Sequence, residues 1–516
     1  MKTSGDLKKR LGLLDLTLLG VGSMIGSGWL FAGAKSAALA GSDAGWAWLL
    51  GAVIILLIAL TFAELAAALP RAGGFLRYPN FTHGNVVGFV IGISSLLAYT
   101  STAGVEVEAV REYAVTWWPA LQASSGGPSG LGFAFQIALL VLFFLINYWS
   151  VKAFGRVNTV VTFFKFIVPL TVIVTLFGYF TADNLAVAPP PPGGLHGIFS
   201  SLTGAGIAFS YLGFRQAVDF ASEARNPQRD IPLAIMIALG ISFVVYLLLQ
   251  YAYLGAVPNS VLSERGWDGV ASLYSSPYAD IAIHLGLGWL TSLVLVDAVI
   301  SPAGTGNIYI AGASRVLFAW AKNGHLFKIF SQVDPKSGVP RGALWLSLII
   351  SIAWTLPSNF QVWGGLISAC TSAMVFTYMP GSTSLAAFRA RMPEMQRPFS
   401  LPFHHVLSPL TMVACTYLLY WSGWNVISVL VPILVAAWVI YALFGAKKAE
   451  SARDIHSAWW LLFYYVALLL VSCFGSFDGS GELAGTAENI LVVVIALITY
   501  YWGSASALKA PRINHD

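Results

Sequence analysis

Apolar residues in this chain come in long uninterrupted blocks, not in the alternation of a half-buried strand. About fourteen blocks approach the ~20 residues that a helix needs to cross a bilayer core. They run near 13–37, 46–69, 86–109, 132–149, 158–181, 197–221, 232–255, 281–312, 342–357, 362–385, 405–421, 425–444, 458–475 and 488–506. Blocks that are apolar on all sides predict helices surrounded by lipid or by other helices. The ninth is short, and Ser301-Pro302 in the eighth predicts a bend there. The connections are short, the longest being 110–131, 256–280 and 316–341, so no soluble domain is expected. Pro189–Pro192 reads as a stiff linker.

Two blocks carry glycines in their middles. The first break is Gly22-Ser23-Met24-Ile25-Gly26-Ser27-Gly28; the second runs from Gly204 through Gly206 and Gly213 to Arg215. A helix broken at bilayer depth frees backbone N–H and C=O groups that lipid cannot satisfy, so each break must face protein or a water-filled cavity. Paired breaks in two halves of a membrane chain point to a transport site. The breaks fall in spans one and six, an offset of five that would insert the second unit upside down relative to the first.

Composition agrees with a membrane chain. Mean hydropathy is +0.74, and 10% of the 516 residues are charged, well below a soluble average. Charge placement says more. With the N-terminus inside, Lys2, Lys8, Lys9, Arg10, Arg71, Arg77, Lys152, Arg156, Arg225 and Arg229 fall on the inner side. So do Arg315, Lys322, Lys328, Lys336, Arg341, Arg389, Arg391, Arg397, Lys447, Lys448, Arg453, Lys509 and Arg512. The outer side receives Arg111 and Arg265, while Lys35, Lys165 and Arg215 lie within spans. A missed helix would flip every later loop and spoil this bias, so the positive-inside rule supports both count and orientation. The first apolar block is expected to stay as an anchor, not to be cleaved as a signal peptide. Cys370, Cys415 and Cys473 lie in spans and read as packing residues. Asn80-Phe81-Thr82 falls on the inner side, where a glycosylation triplet is a chance match. No metal set, cofactor motif or nucleic-acid surface is expected. Gly304-Thr305-Gly306 lacks the strand–loop–helix setting of a phosphate loop.

Five motifs in order resemble the amino acid–polyamine–organocation (APC) superfamily. They are Gly22 through Gly28; Ala63-Glu64 through Gly74; Phe154-Gly155-Arg156-Val157-Asn158 followed by Lys165; Gly213-Phe214 with Glu223 and Asn226 through Pro232; and Ser314-Arg315 through Gly324. The resemblance covers about residues 10–390, and bacterial aspartate:proton symporters are the members it suggests. It implies an all-α integral membrane protein of the LeuT-like 5+5 inverted-repeat fold, with about fourteen transmembrane helices and spans one and six broken. Residues 1–390 would form the ten-helix transport core and 391–516 four peripheral helices. Many members have twelve spans, so the extra two suggest a subgroup.

The same resemblance places a substrate between the breaks. The N–H groups of Ser27 and Gly28 would receive its carboxylate, helped by the positive end of the half-helix beyond Gly26; close helix packing through small residues is the plainer reading. The carbonyls of Met24 and of Phe209 or Leu212 would receive its ammonium. Ala98 and Tyr99 match the family's binding stretch of span three, and Phe209 its aromatic lid. Where the family pattern has an acidic residue after Gly-Phe, this chain has Arg215. A guanidinium there either binds the side-chain carboxylate of an acidic amino acid or forms a structural pair with Asp219, four residues on. Lys165, with Thr305 as hydroxyl partner, matches the lysine that replaces a sodium ion in proton-coupled members; pairing with an acidic residue is the alternative. Glu64, Asp219, Glu223 and Arg225 group as a gate or loop anchor at the inner mouth. Of Glu106 and Glu108, one is expected in an outer vestibule and one paired with Lys35 or Arg111. Asp297 has no account from sequence.

The expected function is proton-coupled import of aspartate or glutamate by alternating access across the cell membrane, with both termini cytoplasmic and the amino acid, the proton and the bilayer as partners. The alternative is an exchanger, or a neutral amino acid permease with Arg215 locked in an ion pair. A channel would need a continuous polar stripe, which these spans lack, and no enzyme motif stands out. A sensor that binds without transporting stays open.

Overall fold

Each predicted apolar block is helical in the computed structural model, which describes residues 7, 9–149, 151–187, 193–356, 363–444, 454–483 and 485–513, with the backbone alone for 151–157 and 363–366. Lys2, Lys8, Lys447, Lys448, Arg453 and the Pro189–Pro192 linker lie outside the described residues, as do the side chains of Lys152 and Arg156. The helices are α1 (Leu13–Met24), α2 (Gly28–Ala40), α3 (Ala44–Ala68), α4 (Gly74–His83), α5 (Asn85–Ala114), α6 (Gly130–Trp149) and α7 (Val151–Phe177). Then come α8 (Gly194–Gly204), α9 (Ile207–Tyr211), α10 (Arg215–Asp219), α11 (Pro227–Ala256), α12 (Asn259–Leu273), α13 (Pro277–His284) and α14 (Gly288–Lys322). The last are α15 (Arg341–Trp354), α16 (Trp363–Arg391), α17 (His404–Tyr420), α18 (Trp424–Phe444), α19 (Trp459–Phe474) and α20 (Thr486–Ala505). By length and composition, with α2 and α3 taken together, eight helices can cross a membrane, or nine if the bent pair Gly194–Gly204 and Ile207–Asp219 is one span. No strand occurs among the described residues.

The lipid-facing surface is inverted relative to a soluble protein. On α7, Val160, Phe163 and Val174 are 60%, 64% and 75% exposed, whereas Lys165 is buried. Apolar residues face outward because hydrocarbon accepts them; the ionisable group turns inward because hydrocarbon does not.

Both breaks are present. In the first, Ile25 leaves helical geometry at φ −78° and ψ 84°, and Gly26 N–H donates to the Met24 carbonyl at 2.9 Å. This is the three-residue inverse γ-turn, and α2 starts at once behind Ser27. In the second, Gly206 takes the left-handed conformation at φ 82°. That geometry suits glycine alone at little cost, and the two halves meet at 54°. Gly213 works differently. A Cβ there would stand 2.6 Å from Met24 N and 2.8 Å from Gly20 O, so its bare backbone lets the two broken spans touch. Ser23 Oγ bridges that contact by donating to the Gly20 and Gly213 carbonyls at 2.9 and 3.0 Å.

Two expectations need correction. The eighth block starts later than expected: α14 runs for 35 residues, helical through Ser301-Pro302. It begins at Gly288, behind the separate helix α13. The expected 256–280 loop is mostly the helices α12 and α13, with α12 turned at Gly266, φ 64°. The glycosylation reading of Asn80 is closed by burial within α4, where Asn80 Oδ1 lies 3.2 Å from His325 Nε2.

The face carrying most arginines is tied shut by backbone and ion pairs. Arg10 and Leu11 N–H donate to the Glu223 carbonyl at 2.8 and 3.0 Å, Arg225 N–H returns to Leu11 O at 2.8 Å, and Gly73 N–H reaches Asp219 O at 3.2 Å. Glu64 accepts from Arg389 Nε and Nη2 at 2.9 and 2.6 Å and from Leu401 N–H at 2.7 Å. The C-terminal tail is held on α4 through Leu508 and Arg512 N–H, and the Arg512 guanidinium pairs with Asp454 at 2.8 Å.

The contact at Gly213 gives a test. Gly213→Ala places a methyl against backbone that cannot rotate away, so it should cost at least the 1–3 kcal/mol of ordinary overpacking. The expected result is a lower melting temperature in detergent; a wild-type melt would show that the two spans do not need this approach.

Candidate functional site

Breaking a span exposes the electrically opposite ends of two half-helices, and in the first break each end has met an opposite charge. At the carbonyl end of α1, the Gly22 oxygen accepts from Lys165 Nζ at 2.5 Å and from Thr305 Oγ1 at 3.0 Å. Ser301 Oγ donates to the Ile25 carbonyl at 3.0 Å. The Lys165 ammonium also donates to Thr305 Oγ1 at 2.6 Å. A cation at a helix C-terminus is the favourable sign. At the N–H end of α2, Ser27 N–H donates to Glu106 Oε2 at 3.0 Å. A carboxylate there is again the favourable sign.

Glycines make this fit possible. A Cβ on Gly26 would lie 2.6 Å from Thr305 Oγ1 and 2.7 Å from Glu106 Oε1. A Cβ on Gly304 would lie 2.8 Å from Lys165 Cε and 3.2 Å from its Nζ, so α14 presents a bare strip along which the lysine stem lies. Gly28 packs against Ser210 of α9.

The expected residues divide into three groups. Met24, Gly26, Ser27, Gly28, Phe209 and Leu212 lie at or beside the two breaks, all buried. The Met24 carbonyl accepts from Gly26 N–H, the Phe209 carbonyl from Leu212 N–H, and the Leu212 carbonyl from Tyr378 OH at 3.4 Å. The Ala98 carbonyl is turned into its own helix and toward α16, accepting from Ser101, Thr102 and Cys370. Tyr99 points to span six and donates its hydroxyl to Asp219 Oδ2.

Arg215 belongs to that second group. Its Nε donates to Asp219 Oδ2 at 3.3 Å, four residues on, with both side chains fully buried. Its Nη1 reaches Thr377 Oγ1 at 3.3 Å and Met374 Sδ. The guanidinium lies 4.2 Å from the Tyr99 ring centroid, 4.6 Å from Phe75 and 5.5 Å from Tyr378. Aromatic faces replace part of the hydration that burial removes. Arg215 Nη2, Asp219 Oδ1 and both polar atoms of Gln216 have no hydrogen-bond partner among the described residues. Of the two roles left open by the sequence, the Asp219 pair is the contact that exists here.

In the third group the contacts are those of separate anchors, not of one mutual salt-bridge gate. Glu64, Asp219, Glu223 and Arg225 do not pair with one another. Glu64 takes Arg389 and, at 3.5 Å, Arg397. Glu223 takes Arg315 of α14 at 3.0 Å. Asp219 takes Arg215 and Tyr99. Arg225 Nε donates to the Arg10 carbonyl at 3.1 Å. Glu64, Glu223 and Arg225 each tie a different neighbouring element, while Asp219 holds Arg215 of its own helix and Tyr99 of α5.

Glu106 was the miss. Glu108 does pair with Arg111, at 2.5 Å, but Glu106 lies at the break and not in an outer vestibule. The usable signal was its register. It follows Tyr99 by seven residues, two helical turns on one face, so a pocket-facing Tyr99 places Glu106 toward the same interior. Tyr378, Met374 and Thr377 of α16 were also missed, because their relation to Arg215 is long-range. On the face opposite the arginine-rich one, a cavity of about 550 Å³ is lined by Phe31, Lys35, Glu112, Tyr113, Tyr274 and Pro277.

Comparisons with known proteins place the chain in a family. A family model described as amino acid permease matches residues 11–473. The chain is 41% identical over 522 residues to the aspartate-proton symporter of Bacillus subtilis strain 168, covering 100% of both chains. It is 34% identical over 521 residues to the glutamate/serine transporter AimA of the same strain, covering 99% of this chain and 96% of that one. The branched-chain amino acid permease BcaP of that strain is 26% identical over 461 residues, with 87% and 96% covered. This chain is therefore a multi-pass membrane permease, not an enzyme, and it belongs to the amino acid permease family.

Proposed function

We propose that the protein is a proton-coupled symporter that imports an acidic amino acid, aspartate or glutamate, by alternating access. The observation that carries the reading is the first break, where Lys165 holds the carbonyl end of α1 while α2 offers N–H groups to a carboxylate. The full-length relative named for aspartate and the proton gives that geometry its substrate. The fold is read as the LeuT-like 5+5 inverted repeat with fourteen spans: residues 1–390 form the core and 391–516 a four-helix periphery. The short helices α1, α15 and α19 then complete spans that are too brief by themselves. The protein is read as lying in the cell membrane with both termini cytoplasmic, an orientation that the arginine and lysine bias supports.

In this reading the α-carboxylate of the substrate meets the Ser27 and Gly28 N–H groups, and the Met24 and Phe209 or Leu212 carbonyls take its ammonium. Ala98, Tyr99 and Phe209 wall the space. Glu106 already occupies the Ser27 N–H, so the substrate binds fully when that carboxylate yields. The proton works through Lys165. As an ammonium it makes charge-assisted bonds to Gly22 O and Thr305 Oγ1 that fasten α1 to α7 and α14. Such bonds are roughly twice as strong as neutral ones, so deprotonation loosens α1. Proton and substrate are coupled because each favours the same arrangement of α1. Glu64, Asp219, Glu223 and Arg225 hold the inner face closed until that arrangement changes.

Arg215 supplies the acidic preference. Its unpartnered Nη2 supports reception of a second carboxylate, with Asp219 as the occupant that the substrate relieves. The observed Arg215–Asp219 pair also favours a second reading, an exchanger or neutral amino acid permease in which that pair is permanent. Counterflow that proceeds at full rate without a pH gradient would select it.

Uptake of radiolabelled aspartate into proteoliposomes, with other amino acids competing, tests both residues. An acidic exterior should raise accumulation in the wild type. Lys165→Ala should lose that response while keeping exchange; an unaltered pH response would remove the lysine from coupling. Arg215→Ala should weaken aspartate binding about tenfold or more, the worth of a hydrogen bond to a charged group. Arg215→Ala with Asp219→Asn, which removes both charges, should do the same. Unchanged aspartate affinity in both would assign Arg215 to structure alone.

A further inference from the structure

Asp297 stands apart from every group used so far. It is 2% exposed within α14, and neither carboxylate oxygen has a hydrogen-bond partner among the described residues. Its register gives it a direction. Asp297, Ser301 and Thr305 follow at intervals of four and share one helix face. The Ser301 and Thr305 hydroxyls of that face bond the Ile25 and Gly22 carbonyls, so the face looks onto the first break. Asp297 extends the polar stripe toward Gly288, the end of α14 away from Arg315 and Lys322. At 1.5 Å per residue it lies about 14 Å from that end, with Thr305 about 12 Å deeper.

We propose that Asp297 is a proton-carrying residue of the transport cycle, placed between the outer face and Lys165; this rests on the reading of Lys165 as the coupling group. The charged groups at the break that this face overlooks are Lys165 from α7 and Glu106 from α5, two helices packed along α14. One ammonium thus faces two carboxylates, and the buried set is neutral when it holds one further proton. Glu106 uses its charge on the Ser27 N–H. Asp297 has no such donor, so the extra proton belongs on Asp297. The transfer balances simply. A proton arriving from outside converts the Asp297 carboxylate to the acid. Water admitted along the Ser301–Thr305 face then relays that proton to the Lys165 amine left neutral by the previous inner release, forming the ammonium and restoring the carboxylate. The ammonium releases the proton to inner water once α1 has moved, and one proton has crossed.

Reconstituted full-length protein and radiolabelled aspartate test this. Asp297→Asn should lower gradient-driven accumulation at least tenfold and flatten the dependence of initial rate on external pH. Counterflow at fixed pH should stay within about twofold of wild type. Asp297→Glu should restore gradient-driven accumulation, with the midpoint of its pH profile displaced by about half a unit. Wild-type accumulation and pH profile in Asp297→Asn would overturn the proposal. Should that variant fail to purify as folded protein, a wild-type midpoint in Asp297→Glu would overturn it instead. Lys165→Ala, measured alongside, separates the two readings. Retained coupling in Lys165→Ala removes the lysine mechanism, whereas coupling lost there and kept in Asp297→Asn removes Asp297 alone.

Discussion

Unsatisfied backbone in a place without water is the constraint that organises this molecule. Opening span one between Met24 and Gly28 leaves carbonyls on one side and N–H groups on the other. Neither lipid nor apolar side chains can pair with them, and each orphaned group would cost several kcal/mol. The chain answers with side chains from three other helices: Lys165 from α7, Ser301 and Thr305 from α14, and Glu106 from α5. These are charges and hydroxyls that a membrane helix would otherwise exclude. The break and its satisfiers therefore require each other.

The same reasoning explains the small residues. Gly26 and Gly304 admit side chains that approach within bonding distance of backbone, and Gly213 admits the other broken span. Close approach also sets the electrostatics, because an ammonium 2.5 Å from a carbonyl is held by position as much as by charge. The second break is satisfied without charge, by Gly206 in its left-handed turn and by hydroxyls from Tyr246 and Tyr378. Its charge lies further along, where Arg215 and Asp219 neutralise each other inside an aromatic box.

Much of this was legible in the sequence for a physical reason. Helix breakers, apolar run length and the side bias of arginine and lysine are local properties, so both breaks and the long apolar helices could be placed, while the less apolar α4 and α12 could not. Lys165 with Thr305 came from motif resemblance and meets in space as expected. What failed was tertiary. Whether Arg215 turns to Asp219, which arginine takes Glu64, and where Glu106 points all depend on helices far away in sequence. Proline removes a single helical hydrogen bond, and α14 carries on past that loss, packed against α5, α7 and α15. Asp297 was visible as a lone carboxylate, but its meaning appeared only when α7 was laid beside α14.

The short strap at the start of the chain has a mechanical consequence. Arg10 and Leu11 exchange backbone hydrogen bonds with Glu223 and Arg225, just past the last turn of the second broken span. Leu11 is one residue ahead of Gly12, where the first broken span begins. The two discontinuous helices are thus geared to each other at their bases as well as touching at Gly213. A tilt of either one would therefore be passed to the other through these bonds.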